Sequence, residues 1–196
     1  MDLNAEFQAL KKSYTDEPYP TIKRRLEKLE QMARLLKENE SELIQAISRD
    51  FSYRSPFETE LAEIYPSLKS ISYTKKKLTS WMSPEKRGVS IWFQPAKASI
   101  MYQPKGVVGV IVPWNYPLYL ALGPLIGAIA AGNRVMLKMS EFTPTFSHRF
   151  AELCHQYLGK DWVRVSNGGP DVGEAFSKVP FDHLLFTGSG RIGREV

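Results

Sequence analysis

The chain has 196 residues, 43% of them hydrophobic, and its 26 basic and 21 acidic side chains give a formal charge of +5. That apolar content suffices for a buried core, while the interleaved charges supply no basic block of the kind that binds nucleic acid. A single cysteine excludes an internal disulfide framework and any multi-cysteine metal site.

The opening residues lack a basic stretch followed by an apolar run, so no secretory leader is expected and the expected location is cytoplasmic. From Thr21, apolar residues recur at helical spacing (Ile22, Leu26, Leu29, Met32, Ala33, Leu36), which predicts an amphipathic surface helix. Ser41 is the expected cap of a second helix carrying Leu43, Ile44 and Ile47. Ser55-Pro56-Phe57-Glu58 combines a capping box with proline at the first helical position and predicts a third, kinked or restarted at Pro66 and running to Trp81. Residues 83–88 break the pattern. The segment 91–103 reads as extended, with Pro95 and Pro104 confining it to an edge or hairpin. The expected organisation is a helical module over 1–88, an extended or hairpin segment over 89–105 serving oligomerisation, and a nucleotide-binding unit over 106–196.

Beyond Gly106, residues 107–112 are almost wholly apolar, as in a parallel strand covered on both faces. Further strand candidates at 134–137, 162–165 and 183–186 alternate with helix candidates at 118–131, 144–158 and 171–178. This alternation predicts βαβ units and a doubly wound, Rossmann-like parallel sheet. The stretch 118–131 is apolar but falls short of the roughly 18 residues a membrane span needs, and it contains Gly123, Pro124 and Gly127, so it reads as a buried helix.

In such sheets, ligands bind beyond the carboxyl ends of the strands. The turns there are Pro113-Trp114-Asn115-Tyr116-Pro117, Lys138-Met139-Ser140-Glu141, Asn167-Gly168-Gly169-Pro170 and Thr187-Gly188-Ser189-Gly190-Arg191-Ile192-Gly193. The last is a literal G-x-G-x-x-G, a pattern that lets backbone approach a pyrophosphate, although an ordinary glycine-rich turn would look the same. Asn115 offers amide donors for a developing oxyanion, and the same turn also reads as a rigid connector. Lys138 and Glu141 suit a ribose as donor and acceptor, or a surface ion pair.

Taken together, four segments resemble the aldehyde dehydrogenase superfamily in order and spacing: 106–117, 130–135, Lys138-x-Ser140-Glu141-x-Thr143-Pro144, and Phe186-Thr187-Gly188-Ser189. Residues 180–186 and 103–110 look most like the coniferyl aldehyde dehydrogenase-like branch. The resemblance implies oxidation of an aldehyde, aromatic in that branch, to the acid by a thiolate nucleophile, a carboxylate general base and NAD, with NADP as the other candidate cofactor. It makes Asn115 the oxyanion donor. Ile111, Val112, Pro113 and Trp114 become the cofactor wall, Lys138 and Glu141 the ribose contacts, Gly169 and Gly173 the turn beside the adenine, and Gly188, Ser189, Ile192 and Gly193 the pyrophosphate loop. It also implies a homodimer or higher homo-oligomer, with a small-molecule aldehyde as substrate and neither nucleic acid nor membrane as partner.

Two departures from the family pattern stand out. Met139 replaces the usual proline of the Lys-Pro-Ser-Glu element, which is expected to loosen the ribose site. The family's elements for the general base and nucleophile would fall after Val196, so this chain is expected to be a cofactor-binding part, inactive alone. Cys154, on an expected amphipathic helix beside His155, does not replace the nucleophile, because adjacent helical residues point in different directions. Rival readings are an inactive nucleotide-binding or assembly fragment, and a nucleic-acid binder through Lys23-Arg24-Arg25 and Lys75-Lys76-Lys77, which read more simply as solvated helix faces.

Overall fold

Val107, Val108 and Val110 leave no polar side for water, and they lie in the central strand of a sheet sandwiched between helices. The computed structural model describes residues 2–196. In chain order the long helices are α1 (Leu3–Asp16), α2 (Ile22–Glu38) and α3 (Glu40–Asp50). A short α4 (Pro56–Thr59) then passes through a π-helical turn, Glu60–Ile64, into α5 (Tyr65–Trp81). The short strands β1 (Glu85–Arg87) and β2 (Ala98–Ile100) pair antiparallel, with a 3₁₀ turn at Ile91–Phe93 between them.

From there strands and helices alternate: β3 (Val107–Ile111), α6 (Pro117–Ala131), β4 (Arg134–Lys138), α7 (Pro144–Leu158), β5 (Val163–Ser166), α8 (Pro170–Ser177), β6 (His183–Phe186) and α9 (Gly190–Glu195). The sheet order is β5-β4-β3-β6, and all neighbours are parallel. The α/β class and the parallel sheet are as the sequence predicts. After β3 the chain moves outward through β4 to β5, then crosses back so that β6 lies on the other side of β3. The space above β3 and β6 is therefore a topological switch point.

Alternate residues face opposite layers, as the pleat requires. Val108, Val110, Val135, Leu137, Val163 and Val165 join the main core with α2, α5, α6 and α7. Val107 and Met136 face a smaller cluster completed by Phe7 and Leu10 of α1 and by Phe176 of α8. α1 had no place in the sequence-based expectation. Asp2 caps it, and Phe7 and Leu10 carry its buried side, too few positions to register as a periodic stripe.

Several local expectations are corrected. Asn39, not Ser41, precedes α3, and the Ser41 hydroxyl instead accepts from Gln45. The capping box at Ser55 does not form, because its hydroxyl makes no cap bond and the Glu58 carboxylate turns toward Arg54. Segment 91–103 is not one extended run. Its strand is limited to Ala98–Ile100, and the partner strand, Glu85–Arg87, lies in the stretch read as a break. Arg25 is not on a solvated face: its guanidinium is buried, donating to the carbonyls of Pro20 and Ala130. By contrast, the buried helix expected over 118–131 is present as α6, with Pro124 inside it.

α6 stops at Gly132, whose φ of 91° closes the helix in the left-handed region and turns the chain directly into β4. A Cβ there would lie 2.8 Å from the Arg25 guanidinium carbon as well as straining the backbone. Gly132→Ala is expected to lower unfolding stability by about 1–2 kcal/mol, the cost of a left-handed non-glycine residue, in urea titration. An unchanged midpoint would contradict this reading of the turn.

Candidate functional site

The register of the sheet decides where the strands stop. Ile111 pairs with Lys138 on one side and with Phe186 on the other, and Lys138 pairs with Ser166, so the last residues of all four strands form one row. Beyond that row opens a cleft of about 580 Å³, lined by Ile111, Val112, Lys138, Glu141, Gly169, Gly173, Phe186 and Ile192 among others. Seven of the thirteen residues to which the resemblance gives a site role thus share one hollow. Pro113, Trp114, Asn115, Gly188, Ser189 and Gly193 stand at the same end of the sheet but outside that lining. A larger hollow, about 800 Å³, lies between α5, α6 and the hairpin, away from the strand ends.

Lys138 is buried at the end of β4. Its ammonium donates to the carbonyls of Met139 (2.7 Å) and Gly168 (2.8 Å) and is not ion-paired among the described residues. Two of its three donors are thereby used. Burial holds this lysine below its ordinary pKa, and the nearby carboxylates of Glu141 and Asp171 oppose that shift. Gly168, at φ 147°, presents the carbonyl that Lys138 uses. Glu141 is exposed.

Met139 corrects an expectation. Its main-chain N–H donates to the Ser166 carbonyl at 3.0 Å, a bond that proline cannot make, and its side chain is fully buried. Relative to the proline of the element it resembles, Met139 exchanges a fixed φ for an added β4–β5 hydrogen bond, so the turn after β4 is tied down and not loosened. Ser166 Oγ and Asn167 Oδ1, at the end of β5, are buried without a hydrogen-bond partner among the described residues. Ser189 caps α9 by accepting from the Ile192 N–H at 3.4 Å. The literal G-x-G-x-x-G therefore sits on a turn and helix start beside the cleft, on the fourth strand of the series.

At the end of β3, Trp114 and Asn115 are exposed, and the Trp114 ring lies 6.1 Å from Phe51. The Asn115 carbonyl accepts from Arg54 at 2.8 Å, while its side-chain amide makes no hydrogen bond among the described residues. Glu63, fully buried, accepts from the N–H groups of Leu118 (2.8 Å) and Tyr119 (3.0 Å) and meets Arg54 at 3.3 Å. The sequence reading missed both Arg54 and Glu63. Cys154 is fully buried on α7, and burial pushes its thiol well above the ordinary range.

The open parallel sheet, with its cleft beyond the carboxyl ends at a switch point, defines an α/β protein of Rossmann-like architecture. More specifically, the chain belongs to the aldehyde dehydrogenase family, whose model, described as "Aldehyde dehydrogenase family", matches residues 2–196. It is 52% identical over 194 residues to a probable coniferyl aldehyde dehydrogenase of Pseudomonas aeruginosa, covering 99% of this chain and 41% of that protein. It is 39% identical over 194 residues to a coniferyl aldehyde dehydrogenase of a Pseudomonas species, covering 99% of this chain and 40% of that one. The structure described as the substrate-bound state of Staphylococcus aureus AldH superposes with a TM-score of 0.94 at 31% identity, over 99% of this chain and 42% of that one. The chain therefore spans about two fifths of the length of these relatives.

With its thiolate disfavoured and its side chain enclosed, Cys154 is expected to resist an aromatic disulfide reagent at neutral pH until urea unfolds the protein. Stoichiometric labelling of the native chain within seconds would contradict the structural role.

Proposed function

We propose that this chain is the cofactor-binding part of an enzyme that oxidises an aldehyde to a carboxylic acid with a nicotinamide dinucleotide, NAD in preference to NADP. The observation that carries this reading is the single cleft at the strand ends, lined by Lys138, Glu141, Gly169, Gly173 and Ile192 in a chain that belongs to the aldehyde dehydrogenase family. The donor set fits a dinucleotide. Lys138 keeps one uncommitted donor and Glu141 an exposed carboxylate for vicinal hydroxyls, while Gly169 and Gly173 keep the wall beside an adenine low. Gly188, Ser189, Ile192 and Gly193 bring glycine-rich backbone to a pyrophosphate, and Ile111, Val112, Pro113 and Trp114 form the remaining wall. When bound, the nicotinamide supplies the hydride acceptor.

Asn115 is the catalytic residue in this part. Its side-chain donors are uncommitted and stand at the mouth of β3, suited to an oxygen that gains charge as the aldehyde carbonyl is attacked. Nucleophile and general base belong to the remainder of the family's length, so the chain alone is inactive in this reading. An aromatic, coniferyl aldehyde-like substrate is favoured by the names of the relatives. The β1–β2 hairpin, with Ile91, Trp92 and Phe93 exposed, serves assembly into a homodimer or higher homo-oligomer in the cytoplasm.

In the full-length enzyme, Asn115→Ala is expected to lower kcat about 10²- to 10³-fold, the usual loss for one oxyanion donor, in a steady-state assay of aldehyde-dependent cofactor reduction. An unchanged kcat refutes the assigned role. Glu141, repelling a 2′-phosphate, is expected to give a higher kcat/KM with NAD than with NADP, and Glu141→Gln is expected to narrow that ratio. A clear NADP preference in the unsubstituted enzyme is the opposing result.

A further inference from the structure

The turn that carries Asn115 is held from both sides by groups that no sequence motif marks. α6 begins at Pro117, which has no N–H, and Tyr116 before it supplies no side-chain cap. The free N–H groups of Leu118 and Tyr119 are instead taken by one oxygen of Glu63, at 2.8 and 3.0 Å, from a residue 55 positions earlier in the chain. The other oxygen of Glu63 faces Arg54 at 3.3 Å, and Arg54 also donates to the Asn115 carbonyl at 2.8 Å.

We propose that Glu63 and Arg54 are positioning residues for Asn115, clamping the Trp114–Tyr119 turn so that the amide is aimed while its own donors stay free. The proposal rests on the reading of Asn115 as the oxyanion donor. A helix start can be capped by its own serine or aspartate, so burying a carboxylate and a guanidinium for that purpose alone is a costly arrangement. The fold nevertheless commits three unusual local structures to it. Glu63 lies in the π-helical turn Glu60–Ile64, and its carbonyl there accepts from the Ser67 hydroxyl at 2.6 Å. Arg54 follows two consecutive non-glycine residues with positive φ, Ser52 at 51° and Tyr53 at 79°. The Arg54 guanidinium is stacked 3.6 Å from the Phe51 ring centroid and 5.1 Å from that of Tyr116, and Phe51 in turn lies against Trp114. Backbone fixed on both flanks with side-chain donors uncommitted is the arrangement that preorganised charge stabilisation requires.

The clamp carries its own pH signature. Burial pushes Glu63 up to about 6, while the Tyr119 and Leu118 N–H groups and Arg54 pull it down and Glu58 raises it. These are the charged and donor groups facing it, from the loop after α3, from α4 and from the start of α6. Above about pH 6 the ionised carboxylate holds both N–H groups and Arg54, and below that pH protonation weakens all three contacts.

The test has two arms, so that failure of the clamp and failure of the oxyanion reading can be told apart. In this chain, the Leu118 and Tyr119 amide signals are expected to shift with a midpoint near 6 in NMR titration. Glu63→Gln is expected to abolish that step and to increase the mobility of the Asn115 backbone and side-chain amide. In the full-length enzyme, Glu63→Gln is expected to lower kcat at least about tenfold while the KM values for aldehyde and cofactor stay within about twofold. In an Asn115→Ala background, the same substitution is expected to cost almost nothing further, because both act through one group. Arg54→Lys, which keeps a positive charge beside Glu63 but loses the planar fork, is expected to act in the same direction and guards against a Glu63→Gln protein that does not fold. Unaltered Asn115 mobility in both variants, or a kcat loss from Glu63→Gln that persists in full without Asn115, overturns the clamp. An Asn115→Ala enzyme with unchanged kcat overturns the oxyanion reading instead, and the mobility measurements then decide the clamp by themselves.

Discussion

The cleft of this chain depends on parallel strand pairing that ends in register. Ile111, Lys138, Ser166 and Phe186 close the four strands on one level because each neighbouring pair is held in parallel register by evenly spaced main-chain hydrogen bonds. A one-residue slip of β4 against β3 would turn Leu137 out of the main core and move the Lys138 ammonium away from the Gly168 carbonyl. Core packing and the placement of polar groups at the cleft are therefore the same constraint. Side chains distant in sequence meet because the sheet leaves them no other level at which to emerge.

The turns then divide the work. Those after β4 and β5 use main-chain carbonyls to hold a buried lysine, and the turn after β6 uses a serine cap. The turn after β3 is different. It is tied to the helical module through Arg54 and Glu63, so the part of the chain before residue 88 is more than a scaffold. The module's position against α6 sets the position of Asn115. That link lets a substitution in the π-helical turn reach the Asn115 turn without altering a single residue of the cleft.

How much of this was legible in sequence follows from which contacts are local. The apolar run 107–112 identified the central strand, and the alternation after it gave the α/β class, because periodicity reports burial directly. The cleft residues at the strand ends were readable for the same reason, since a strand's carboxyl end is known once the strand is. Capping was less legible. Ser41 and Ser55 have the composition of caps, yet Asn39 precedes α3, and Ser55, although it precedes α4, makes no side-chain cap bond. α1 escaped notice because only Phe7 and Leu10 are buried on it. Glu63 was invisible in kind: it is one acidic residue among several in a helical stretch, and its importance comes from partners at Leu118 and Tyr119 that no local pattern records. Met139 shows the converse, a departure from a motif that reads as a defect until its N–H is seen bonded to Ser166.

If the row of strand ends forms the floor of a dinucleotide site, as proposed, mapping NAD onto this chain by NMR shows it most directly. The expected result is saturable chemical-shift change, with increasing NAD, concentrated at Ile111, Val112, Lys138, Glu141, Gly173 and Ile192. Changes confined to the hollow between α5, α6 and the hairpin, or no change at millimolar NAD in a folded protein, would contradict it.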